Sequence, residues 1–260
     1  LTDKAFDALS GLEFVPVESG GTCAPEGLLV LPSRFHDVIP LAEFCAEYEV
    51  RDVSHPSQEL TADDYERLAA LDSTRVLSVS ETLVEIADMY CLSTLGTDEV
   101  VGLLAVVEES LNSIGSYDSE YDPTIEALKL LSVYPNQGDD RPQSLDTIDD
   151  DIYRPARQGE GAYKPFYDDL TLLGDALLSA LRSETVSEQT RADVRNLFSE
   201  RLHIEEIQHK DIVEKVVAEA FATPEEHDDE ILDEYVEYLQ DHARSHADAS
   251  NTKLRTEAGD

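Results

Sequence analysis

The chain has 260 residues, 57 of them acidic and 19 basic, giving a formal charge of −38 at neutral pH. Such a surface repels nucleic-acid phosphates and anionic lipid, and apolar runs such as Leu103 to Val107 are far too short to span a membrane. At 41% hydrophobic the composition is lean, yet well above that of a disordered chain, and the length allows one large domain or two modest ones.

The first third alternates between strand and helix signals. Gly27 to Leu31 (GLLVL) reads as a short strand between Pro25 and Pro32, and Val38, Leu41, Cys45 and Tyr48 recur at helical spacing. Val50 to Ser54 is a second strand candidate. Thr61 can cap a helix whose first turn holds Asp63 and Asp64. Arg75 to Val79 is a third strand, and Ser80 is placed as the cap of the helix that follows. Strands separated by helices favour a largely parallel sheet.

From Thr97 onward helices dominate. An apolar helix is predicted over 98–114, and another starts at Asp122-Pro123 and runs to about Val133. Residues 134–163, with prolines at 135, 142 and 155 and glycines at 138, 159 and 161, read as a long loop. Beyond it one helix is predicted from Pro165 to about Arg182, and a second from near Ser187 to Ala222. Thr223–Glu226 (TPEE) is a capping box that starts a third, reaching His246. The fold class expected is therefore mixed α/β and helix-rich, with a small, largely parallel sheet flanked by helices and then a C-terminal helical bundle. The expected domains are an α/β unit over 1–133, a loop over 134–163, a bundle over 164–246 and a disordered tail over 247–260.

The acids are distributed, not confined to a tail: the net charge is −24 over 1–150 and −14 over 151–260. Only 6 of the 19 basic residues are lysine. Acid excess, scarce lysine and lean hydrophobicity together resemble the cytoplasmic proteins of salt-accumulating halophilic archaea. That resemblance implies a cytoplasmic location and stability in molar salt, where the Debye length falls to about 3 Å. Cys23, Cys45 and Cys91 are odd in number and widely spaced, so neither a disulfide framework nor a zinc knuckle is expected. No signal-peptide pattern stands at the start.

Three sets of residues are candidates for function. Ligands of open α/β sheets bind beyond the carboxyl ends of the strands. That rule selects Ser33, Arg34 and His36 after the first strand, His55 after the second, and Ser80 and Glu81 after the third. His36, His55, Ser80 and Glu81 form a candidate catalytic set for acid–base or nucleophilic work, with a divalent metal as its cofactor. The stretch RVLSVSETLVEIAD (75–88) faintly resembles a PIN-type nuclease, a family that holds divalent metal between carboxylates near its strand ends. In this chain the first strand ends in Pro32-Ser33 instead of an aspartate, and Glu81 or Glu85 stands where the middle acid would.

The second set lies in YRPARQGEGAYKPFY (153–167). Arg154, Arg157 and Lys164 face a single acid there, interleaved with Tyr153, Tyr163, Phe166 and Tyr167. This local reversal of sign suits capture of an acidic protein partner, and is the one place where nucleic acid could bind. The third set is Glu206-x-x-His209 with His242 and His246, at spacings that suit a metal-binding helical bundle. No Walker loop, dinucleotide fingerprint, HExxH, GxSxG or EF-hand loop occurs. The leading expectation is a non-enzymatic cytoplasmic binding or regulatory protein that uses 153–167. A strand-end phosphodiesterase and a metal bundle are the alternatives.

Overall fold

The structure is a computed structural model that describes residues 12–17, 20–39, 44, 67–68, 74–88, 95–136, 139–148, 151–156, 163–223, 227–228 and 230–242. The expected strand at 50–54, Cys45, His55, the Thr61 cap, Cys91, Arg157, His246, the tail and most of the TPEE box lie outside them. Contacts group the chain into two compact units, one built from Leu1–Asp151 with Leu173–Ile204, the other from Ile152–Leu172 with Glu205–Asp260. The described residues are helix-rich with small sheets.

Unit 1 opens with an antiparallel hairpin, β1 (Val15–Pro16) on β2 (Thr22–Cys23). Its turn places Gly20 and Gly21 at φ of +92° and +95°, a conformation that a side chain would strain. The apolar run at 27–31 forms β3 (Leu29–Val30), which pairs in parallel with β4 (Arg75–Val76). That is one parallel ladder of two strands. The other two described ladders are antiparallel, so the largely parallel sheet of the sequence reading is represented by this single pair.

After β4 comes α1 (Val79–Ala87), capped by Ser78 and not by the expected Ser80. The Ser78 hydroxyl accepts from Glu81 N–H at 3.2 Å and the Glu81 carboxylate accepts from Ser78 N–H at 2.9 Å, a reciprocal box across S-x-x-E. Helix α2 (Thr97–Ile114) buries Leu103, Leu104, Val107 and Leu111 completely. It ends at Gly115, whose φ of +80° and N–H bond to Leu111 O at 2.9 Å close the last turn. Helix α3 (Tyr121–Leu130) follows and packs chiefly against α1.

The segment read as a loop carries a hairpin, β5 (Tyr134–Asn136) with β6 (Asp139–Gln143), and a 3-10 turn at Leu145–Thr147. Pro135 and Pro142 face each other in that register, where a missing N–H leaves the short two-stranded ladder intact. Tyr134 is fully buried, and its hydroxyl donates to Leu128 O at 3.1 Å. Helices α4 (Asp175–Ala180) and α5 (Glu188–Asn196) pack on α2, and Ser187 caps α5 as its position suggested. A π-helical turn, Leu197–Arg201, ends the series. Its Arg201 meets the buried Glu108 of α2 at 3.3 Å and also bonds Tyr121 at 2.7 Å and Asn112 at 3.0 Å.

Two of the long predicted helices are interrupted. Lys164–Asp169 is a 3-10 helix, after which Leu172 leaves helical geometry to bridge Tyr153, and the α-helix resumes only after Gly174. The predicted 187–222 helix breaks between Arg201 and His209. His203 takes φ +56° there, and Glu206 forms a bridge with Arg154. The left-handed region is open to histidine more often than to most residues, which explains a stop with neither glycine nor proline to announce it.

Unit 2 contains Lys164–Asp169, helix α6 and helix α7 (230–242). Helix α6 comprises His209–Asp211, a π-helical stretch at Ile212–Val217 and Ala218–Ala222. Its core gathers Phe166, Tyr167, Leu172, Ile207, Ile212, Val216, Val217, Ala220 and Tyr235, with Leu232, Tyr238 and Leu239 packed against it. Positions 232, 235, 239 and 242 of α7 are thus turned inward at the spacing read from the sequence.

Candidate functional site

The parallel pair brings two of the predicted strand ends side by side. Beyond β3 lies the 3-10 turn Ser33–Phe35 with His36, and beyond β4 lies α1 with Ser80 and Glu81. Arg34 donates to the Ser110 hydroxyl on α2 at 2.9 Å. The His36 ring is half-buried with Nε2 3.3 Å from Leu31 O, so that nitrogen carries the proton. Burial pushes the imidazole below its ordinary value, against the Leu31 bond and the Asp37 charge. His55 lies outside the described residues.

Ser80 and Glu81 are both engaged at the start of α1. One Glu81 oxygen holds Ser78 N–H, and the other lies 3.8 Å from the Arg75 guanidinium. Ser80 N–H donates to Glu120, the residue just before α3, at 2.9 Å, and its hydroxyl is 3.2 Å from that of Ser78. Burial pushes the Glu120 carboxyl up. The hydrogen bonds from Ser80 and Ser78 more than reverse this and leave it below the ordinary glutamate value. Two of the protein's own carboxylates therefore occupy the positive end of α1, where an anion would otherwise bind.

The same two helices frame an open cleft of about 430 Å³. The hydrogen bond from Ser80 N–H to Glu120 joins the two helices near their N-termini. Val84 from α1 and Pro123, Ala127 and Leu130 from α3 supply its apolar lining. Val84 is 42% exposed and Leu130 40%, high for aliphatic residues on helices that have a core to pack against. Along the rim stand Glu81, Glu85 and Glu126 with Arg75. Sequence reasoning reached Ser80 and Glu81 but not the cleft. The S-x-x-E at 78–81 was the signal for their structural role, whereas Glu120 and Leu130 join them only through tertiary packing.

The basic-aromatic segment is placed differently from its expected role. Phe166 and Tyr167 are 2% and 9% exposed, and Tyr153 and Tyr163 pack partly buried against the same core. Phe166 contacts the rings of Tyr235 and Tyr238 at 5.1 and 4.6 Å, and Tyr167 accepts from Ala156 N–H at 3.1 Å. The backbone of Arg154 is tied to Glu205 and Ile207, while Lys164 is exposed. Arg157 lies outside the described residues. These aromatics therefore contribute to the core of unit 2. The Tyr235 hydroxyl donates to Asp169 at 2.9 Å, and burial together with that carboxylate pushes its phenol up to about 12.

Of the proposed metal ligands, the structure brings together His209 and His242. Their rings stack with centroids 3.1 Å apart and 16° between planes, and His209 Nδ1 is 2.6 Å from the Tyr238 hydroxyl. Near-parallel imidazoles aim their in-plane lone pairs side by side, not at a common point. Glu206, in the bridge with Arg154, does not share a helical face with His209, because no helix joins them. His246 lies outside the described residues. Among the described residues no group of three His, Cys, Asp or Glu side chains is placed to hold a metal ion, and no helix is long and apolar enough to cross a membrane.

No protein-family model, no curated protein and no solved structure matches this chain. The functional reading therefore rests on its own residues.

Proposed function

We propose that this chain is a non-enzymatic binding protein of the cytoplasm of a salt-accumulating archaeon, and that it engages a polypeptide partner through the α1–α3 cleft of unit 1. The observation that carries the reading is the cleft itself, an open surface with exposed aliphatic side chains flanked by carboxylates. Val84 and Leu130, exposed on the two helices that frame it, support docking there. The engagement of Glu81 in a capping box and of Ser80 with Glu120 supports a structural role for the side chains first considered catalytic. Docking thus moves from 153–167, whose aromatics pack into unit 2, to α1 and α3. The charge of −38 with few lysines supports the salt-adapted setting.

A second reading is favoured by the β3–β4 pair, which sets His36 and Glu81 beyond neighbouring parallel strands. It is a metal-dependent phosphodiesterase acting at the strand ends, and the two readings separate in one experiment. Hydrolysis of bis(p-nitrophenyl) phosphate and of single-stranded RNA is measured in molar KCl with magnesium or manganese, for the wild type and for Glu81→Gln. The binding reading expects no metal-dependent turnover and a lower melting temperature for the variant. Turnover that Glu81→Gln abolishes at unchanged stability overturns it.

A further inference from the structure

We draw no further inference here: the strongest candidate, the stacked His209–His242 pair beside Tyr238 in unit 2, aims its lone pairs side by side, and among the described residues no third His, Cys, Asp or Glu completes a metal site with it.

Discussion

Glu120 accepts a 2.9 Å hydrogen bond from the backbone N–H of Ser80, so the residue before α3 closes the first turn of α1. This contact holds the two walls of the cleft together at their N-terminal ends. The Ser78–Glu81 box completes the same terminus, which is thereby supplied with carboxylates from both helices.

The linkage has a definite sign. Because the Glu120 carboxyl lies below its ordinary value in the folded chain, its contribution is present above the unfolded value and is lost as pH falls through the folded one. Glu120→Gln keeps an acceptor oxygen, so its effect at neutral pH is expected to be small. Its acid limb of stability should be flatter than that of the wild type. Ser78→Ala removes the cap and is expected to cost about 1 kcal/mol. Denaturant unfolding in molar KCl from neutral pH to below the glutamate range measures both.

Arg201 and Glu108 tie the π-turn to α2. The Glu108 side chain is 2% exposed, so Arg201→Met strands a buried carboxylate and is expected to cost about 3 kcal/mol. Replacing both, Glu108→Leu with Arg201→Met, removes the stranded charge and should recover most of the loss. Equal losses in the single and double variants would show that the pair acts through packing alone.

Phe166 stands at the centre of the unit 2 aromatics. Phe166→Ala is expected to lower stability by about 3–5 kcal/mol. Denaturant unfolding measures it, and unchanged stability would contradict the packing of this ring in the unit 2 core.

Self-repulsion from a charge of −38 is screened as the Debye length falls from about 10 Å at 0.1 M salt to about 3 Å at 1 M. The melting temperature is expected to climb steeply between dilute buffer and molar KCl. A flat response would contradict the salt-adapted setting.

Elements with strong local signals were legible from residues alone. The apolar run of β3, the long stripe of α2 and the Ser187 cap of α5 lie where pattern and capping chemistry put them, whereas α3 begins at Tyr121, two residues before the proline expected to open it. The cap of α1 slipped by two residues because Ser78 and Ser80 are both competent caps, and only the box with Glu81 distinguishes them. The β5–β6 hairpin was concealed by its prolines, which read as loop residues. The break near His203 carries no glycine or proline, so the spacing of Glu206 and His209 suggested a shared helical face that the backbone does not provide. For the candidate site, Ser80 and Glu81 were found by position, but the cleft depends on which face α3 offers α1. That is a tertiary choice with no counterpart in local pattern.

The most direct measurement of the docking claim is hydrogen–deuterium exchange of the full chain in molar KCl, with and without an amphipathic helical peptide that carries a leucine face. The account expects exchange to slow within Val79–Ala87 and Tyr121–Leu130, the walls of the cleft. Slowing confined to residues 152–172 would contradict it and place the partner on the basic-aromatic segment.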